Sequence, residues 1–296
     1  MKNDLDVMTR SSISVEHPQQ IDDAILMKQN SHGVYISGGT LIQLDWEAGK
    51  PLTRKLINLA TINELKGIIH FEQEGRQFIE IGTLTTIAEC IENPTISENI
   101  PLLGEACKKI AAPAVRNRAT LGGNVASGIG DTIPALLALD AQLKLRVLDK
   151  TKVVKLWEWL QFQKEAQQST YLIISIRIPI QKPGDQSVFK KIGRREAFTP
   201  ALVTICAQWK KKHIDELEYI RIAVGGGNNN PRRLIIVEKI LETNRCNENL
   251  FKSLYLEILE EFISYSDSFI SESYRRKVAA NLLVTELMNI FQEREV

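Results

Sequence analysis

Over the first sixty residues, short apolar runs of strand length alternate with stretches of helical spacing. The pattern predicts a helix over 22–29, a strand at 34–37, a glycine turn, and a strand over 55–59. Residues 61–179 repeat the theme on a larger scale, with strands near 68–71, 78–81 and 143–148 around helical spacings near 86–90 and 104–110. Asp131 and Thr132, ahead of the run IPALLALDA, read as a helix start in which carboxylate or hydroxyl caps free N–H groups. The run LIISIRIPI closes this stretch as a strand. Gln181 to Asp185 is polar and turn-forming, the natural place for a domain boundary. Beyond it, strands are predicted near 187–192, 201–209 and 219–224. GGGNNNPRR then reads as a turn, and two long helices, about 247–263 and 272–291, carry apolar residues three and four apart. Sheet-then-helix order of this kind predicts an α+β fold.

Composition narrows the partners. At 296 residues, 44% hydrophobic and 25% charged, the chain can bury the cores of two or three domains. Its 37 basic and 36 acidic residues leave a net charge of +1, which creates no field to gather nucleic acid or an anionic membrane. No apolar window approaches a spanning helix. The N-terminal MKNDLDVMTR places acids where a signal peptide needs an apolar run, so a cytoplasmic protein is expected. Cys90, Cys107, Cys206 and Cys246 form no C-x-x-C pair, and His17, His32, His70 and His213 form no H-E-x-x-H, so no metal site is expected on this chain. Trp46, Trp157, Trp159 and Trp209 read as packing residues.

Two glycine-rich segments carry the candidate chemistry. One runs from Gly33 to Ile42 with Gly38, Gly39 and Thr40 at its centre; the other runs from Arg116 to Asp131 through Gly122, Gly123 and Asn124. A dinucleotide diphosphate accepts several backbone hydrogen bonds at once, and residues without a Cβ let two loops approach it closely. The first segment reads equally as a tight turn with Thr40 capping a short helix. The second reads also as an Asx-type turn plus a helix cap. Neither is a Rossmann or P-loop fingerprint, because G-x-G-x-x-G and G-x-x-x-x-G-K-[ST] are both absent.

The runs PAVRNRATLGGNVASG and DTIPALLALDA, the ISGGT loop, IGTLTTIAE, IISIRIP, FKKIGRREAF and SESYRRKVAANLLVTEL resemble the FAD-binding subunit of the molybdenum hydroxylases. That family includes xanthine dehydrogenase and carbon monoxide dehydrogenase. The resemblance covers nearly the whole chain from about Ile21. It implies an α+β protein with a two-lobed FAD-binding fold of the vanillyl-alcohol oxidase (PCMH) type, lobes 1–60 and 61–180, followed by a smaller α+β domain over 186–296. It implies a diphosphate loop of Tyr35, Ile36, Ser37, Gly38, Gly39, Thr40, Leu41 and Ile42, and a second cradle of Ile110, Thr120, Gly123, Asn124, Ser127 and Asp131. Ile173 would sit near the flavin ring, with Lys190 close to it. No side chain need act as a catalytic acid or base.

The same resemblance implies partners. The molybdenum cofactor and 2Fe-2S clusters would lie on a large subunit and an iron–sulfur subunit, and electrons would pass through FAD to NAD or oxygen. A stand-alone FAD-dependent oxidoreductase of the same fold is the alternative, but it needs an acid or base over the flavin and none stands out. A nonenzymatic nucleotide-binding module is a third class. Three departures are visible: Leu41 replaces the family's usual Asp, LWEWLQFQKEAQQSTYL replaces a glycine-containing segment over 156–172, and Thr40 stands where some relatives of the wider fold carry a histidine bonded to flavin. Noncovalent FAD is therefore expected.

Overall fold

A computed structural model of the protein describes residues 13–292, apart from 52, 167–169, 196–198 and 228. The N-terminal MKNDLDVMTR, read for a targeting signal, thus lies outside the described residues. The first lobe is built from β1 (Ser14–Glu16), α1 (Ile21–Ser31), β2 (Val34–Ile36), α2 (Thr40–Glu47) and β3 (Lys55–Asn58). Its strands form a parallel sheet in the order β1-β3-β2. Helix α1 covers that sheet through Ala24 and Ile25, packed on Ile57, Leu59 and Ile62. Leu84 and Leu172 of the next lobe enter the same core, so the two lobes share apolar packing.

The second lobe comprises β4 (Ile68–Gln73), β5 (Arg76–Gly82), α3 (Ile87–Glu92), α4 (Pro94–Asn99), α5 (Pro101–Lys108), α6 (Pro113–Arg116), α7 (Leu121–Ala126), α8 (Ile133–Ala138), β6 (Gln142–Val147), β7 (Lys150–Lys155), α9 (Leu156–Ala166) and β8 (Tyr171–Pro179). Its strands pair antiparallel in the order β4-β5-β8-β6-β7. One face is backed by the helices over a core of Ile79, Ile81, Leu103, Leu136 and Ile176. Helix α3 starts where it does because Thr86 and Glu89 form a reciprocal capping box. The opposite face is polar, as antiparallel sheets permit.

On that polar face Glu80 is buried, yet it accepts from Ser175 Oγ at 2.7 Å, Lys144 Nζ at 3.1 Å and Arg177 Nε at 2.7 Å. Burial alone would raise its pKa, but the Ser175 hydroxyl, Lys144 and Arg177 outweigh burial and hold the carboxyl below its ordinary range. A depressed carboxyl contributes stability above its unfolded pKa and loses it as pH falls through the native value. Glu80→Gln is therefore expected to cost about 1–3 kcal/mol at neutral pH. Urea titrations should show that deficit closing below about pH 4; a deficit unchanged by acid would contradict the assignment.

The C-terminal unit holds β9 (Asp185–Gly193), β10 (Ala201–Lys211), β11 (Leu217–Gly226), β12 (Asn229–Arg233), α10 (Ile235–Thr243), α11 (Glu248–Glu261) and α12 (Glu272–Gln292). The antiparallel sheet β12-β11-β10-β9 is covered on both faces. Val203, Ile205, Ala207 and Trp209 face α10 to α12, meeting Leu254, Ile258, Leu283 and Leu287. Phe189, Cys206 and Ala223 face the other way and join the second lobe's core. Helix α8 packs closely there because Gly225 offers only a hydrogen: a Cβ would meet Pro134 Cγ at 2.9 Å.

Several expectations shift. GGGNNNPRR is not only a turn, since Asn229–Arg233 pairs with β11 as an edge strand. Trp159 and Trp209 are packing residues, whereas Trp46 and Trp157 are exposed. No described helix is long and apolar enough to cross a membrane.

Candidate functional site

Strand β2 ends at Ile36, and Ser37-Gly38-Gly39 then turns the chain into α2. Gly39 makes that turn with φ +72°, a left-handed conformation costly for other residues, and supplies no side-chain cap. The first three amides of any helix lack intrahelical acceptors, here those of Thr40, Leu41 and Ile42. The ladder begins only with Gln43 N donating to Gly39 O at 2.9 Å. Among the described residues nothing bonds to those three amides. Helix α2 buries none of its residues, and Leu41, Leu44 and Trp46 are exposed along it.

The second loop is organised differently. Thr120 caps α7 by accepting from Gly123 N at 3.0 Å. Leu121 N donates to Thr85 O, Gly122 N to Thr83 O and Asn124 N to Thr120 O. Its first-turn amides are therefore engaged within the fold, and this loop presents side chains and carbonyls rather than free backbone donors. Gly122 allows the approach: a Cβ there would overlap the Thr83 hydroxyl and lie 2.6 Å from the Thr83 carbonyl oxygen.

The two loops meet. Ser37 Oγ lies 3.0 Å from Thr120 Oγ1, across 83 residues of sequence. A Cβ on Gly38 would overlap the carbonyl oxygen of Arg118 and sit 2.6 Å from its carbon. A Cβ on Gly123 would fall 3.0 Å from Thr120 Oγ1 and 3.1 Å from Ser37 Oγ. Absence of a side chain at 38 is thus what lets this junction close, and the bare position at 123 keeps it uncrowded.

The rest of the second segment folds around Asn124. Its Oδ1 accepts from Thr132 N at 3.2 Å and Thr132 Oγ1 at 2.6 Å, while its carbonyl accepts from Ser127 Oγ at 2.7 Å. The expected capping of α8 is corrected here: Thr132 makes no side-chain cap, because its hydroxyl is committed to Asn124. Asp131 Oδ2 pairs with Lys191 Nζ at 2.6 Å instead of capping the helix. The carbonyl of Ile110 accepts from Arg116 Nη1 at 2.9 Å, as does that of Ala111, which bends at φ 36°. Tyr35 is held in the first lobe, its hydroxyl donating to Ala24 O at 3.4 Å, and burial pushes its phenol pKa well up.

Two expected contacts do not join this group. Ile173 is 6% exposed and lies in the helix-backed core with Ile176 and Ile178. A register irregularity between Lys144 and Leu145 of the paired strand breaks the two-residue alternation there, so Ile174 and Ser175 take the open side. Those two line a cleft of about 390 Å³ together with Gln20, Glu80, Lys144 and Arg146. None of the glycine-loop residues lines that cleft. Lys190 pairs with Glu286 of α12 at 3.1 Å. Successive residues of a strand point to opposite faces, and Val188 already packs toward the C-terminal helices while Phe189 enters the second lobe's core. It is Lys191, its neighbour, that faces the second loop.

Comparison with known proteins decides the family. The model described as "FAD binding domain in molybdopterin dehydrogenase" matches residues 11–181, more than half the chain, and "CO dehydrogenase flavoprotein C-terminal domain" matches 187–290. The chain belongs to this FAD-binding family. Glyceraldehyde dehydrogenase medium chain of Sulfolobus acidocaldarius is 27% identical over 227 residues, 75% of this chain and 78% of that one. Carbon monoxide dehydrogenase medium chain of Hydrogenophaga pseudoflava is 32% identical over 176 residues, 57% of this chain and 58% of that one. A solved structure of carbon monoxide dehydrogenase from Hydrogenophaga pseudoflava, lacking the Mo-pyranopterin moiety, superposes with a TM-score of 0.82 at 20% identity, covering 96% of this chain and 99% of that chain. As a family member the chain is an FAD-binding flavoprotein subunit of oxidoreductase type. Its four cysteines are buried free thiols, and no described group of three or more His, Cys, Asp or Glu could hold a metal ion.

Lys191, Thr83 and Thr85 also bond to the second segment, and the sequence reading named none of them. Lys191 differs from the predicted Lys190 by one position in the run FKK, and only the strand's facing separates them. Thr83 and Thr85 act through backbone carbonyls, which no residue type announces.

Proposed function

We propose that this chain is the electron-transfer subunit of a molybdenum hydroxylase complex, holding noncovalent FAD at the junction of the two glycine loops. The observation that carries the reading is the pair of loops in hydroxyl contact beside three unpartnered amides at the start of α2. A diphosphate suits those donors, since charge-assisted bonds from backbone N–H to anionic oxygen contribute about 1.5–3 kcal/mol each. The macrodipole of the helix favours negative charge at the same end.

In this reading Ser37 to Ile42 hold the diphosphate, with Tyr35 and Ile36 fixing the strand that leads in. Thr120, Gly123, Asn124 and Ser127 form the opposing wall. Asp131 offers its free Oδ1 to a ribose or ribityl hydroxyl, and the Ile110 turn closes the rim. Lobes 1–60 and 61–180 flank the cofactor, and the unit at 186–296 braces the second. Leu41 brings no carboxylate near the phosphates, so the amides meet no competing anion.

Bound there, FAD would take electrons singly from 2Fe-2S clusters on an iron–sulfur subunit, fed by a molybdenum-cofactor large subunit, and deliver pairs to NAD or oxygen. The chain's own residues bind and orient; none needs to move a proton. A cytoplasmic setting accords with the four free thiols.

The test is titration of the flavin-stripped full chain with FAD, followed by flavin fluorescence and absorbance. One FAD per chain is expected, with FMN, which lacks the diphosphate bridge, binding at least about tenfold more weakly. Equal affinity for FMN, or none for either, would end the proposal. Copurification from the native host with iron- and molybdenum-containing subunits tests the partners.

A further inference from the structure

Lys191 stands on β9, in the C-terminal unit, yet its side chain is 7% exposed against the second lobe. Its ammonium donates to two acceptors from separate segments: Asp131 Oδ2 at 2.6 Å and the carbonyl of Lys109 at 2.8 Å. Lys109 precedes Ile110, and Asp131 closes the second loop. One cation therefore ties together both stretches that the FAD reading assigns to the far wall of the site. We infer that Lys191 is a positioning residue for the cofactor, contributed to the FAD lobes by the C-terminal unit; the inference rests on that reading.

Two physical effects follow from the geometry. Holding Oδ2 fixes the plane of the Asp131 carboxylate and so the direction in which Oδ1 is presented. It also cancels a carboxylate charge on the half-open wall of the site that would otherwise repel the anionic cofactor, a repulsion that salt can screen. Arg116 complements this by donating to the carbonyls of Ile110 and Ala111, so the left-handed bend at Ala111 is gripped from both sides. The neighbouring Lys190, bonded to Glu286, cannot substitute.

The experiment titrates FAD into the flavin-stripped full chain as wild type, Lys191→Met and Lys191→Arg. Lys210→Met, which breaks the Lys210–Glu218 pair on the same sheet, serves as control. Lys191→Met is expected to weaken FAD binding at least about tenfold, with Lys191→Arg recovering part of the loss and the control within about twofold of wild type. The deficit should narrow at about 1 M salt, where charge repulsion is screened, which a purely structural defect would not do. If wild type takes up no FAD, the underlying reading fails. If wild type binds and Lys191→Met matches it, or shows a salt-independent loss, the positioning role alone is overturned. Should Lys191→Met not fold, Lys191→Gln, which keeps a donor without the charge, is read by the same criteria.

Discussion

Gly38→Ala is expected to yield a folded chain that no longer retains flavin. The added methyl would overlap the carbonyl oxygen of Arg118 and sit 2.6 Å from its carbon, against an ordinary approach of about 3.5–4.0 Å. Backbone atoms cannot swing aside as a side-chain tip can, so the loops must part by roughly 1 Å. Overpacking of this kind costs about 1–3 kcal/mol, which a protein of this size survives. The loss falls on the cofactor, because the Ser37–Thr120 contact opens and the α2 amides shift relative to the opposing wall. FAD affinity is expected to fall at least about 100-fold. Gly123→Ala should be milder: its methyl would meet Thr120 Oγ1 and Ser37 Oγ at 3.0 and 3.1 Å, a crowding relieved when those side chains give by a few tenths of an ångström. The ratio of flavin to protein absorbance in the purified variants measures the difference. Wild-type flavin content in Gly38→Ala would show that the junction of the loops is not where the cofactor sits.

Arg275→Met should destabilise the C-terminal unit by about 3–5 kcal/mol, the usual cost of removing one partner of a buried ion pair. The guanidinium is fully buried, donates to the carbonyl of Leu202 and pairs with Asp267. A Cβ on Gly227 would strike it, so the chain has made room for this group alone. Burial works against ionised Asp267, yet the amides of Phe269 and Ile270 together with Arg275 outweigh it and lower the carboxyl pKa. This contribution is therefore complete above the ordinary carboxylate range and fades as pH falls through the lowered native value. Urea unfolding at neutral pH should show the full deficit for Arg275→Met, and a smaller one in acid. A neutral-pH loss under about 1 kcal/mol would mean that Leu202 and Asp267 find other partners.

Long periodic elements were readable from the chain itself. The spacing over 247–263 and 272–291 anticipated α11 (Glu248–Glu261) and α12 (Glu272–Gln292), and short apolar runs of strand length anticipated β5, β6 and β10. Helix α2 was legible only as a short helix capped by Thr40, whereas Gly39 holds the cap position and Thr40 opens the helix; its eight residues bury nothing and so give little amphipathic signal. The charged edge strand β7 lacked an apolar face for the same reason, with Lys150 to Val153 all exposed. Within the site, glycine density pointed to both loops. What it could not convey was that the amides of one are free and those of the other are spent on Thr83, Thr85 and Thr120, since that depends on contacts between distant segments. Nor could it convey the bulge that turns Ile173 into the helix-backed core, or which of two adjacent lysines meets the second loop.

The two cores that grip β9 also settle where this protein's length can drift. One extra residue ahead of Phe189 would turn its ring toward the C-terminal helices and swing Lys191 away from Asp131, reversing both sides at once. Lys182, Pro183 and Gly184, just upstream, are solvent-exposed and bend through a left-handed glycine. Grafted peptides, affinity handles or new chain ends belong at that bend, which can absorb them without disturbing the strand's facing.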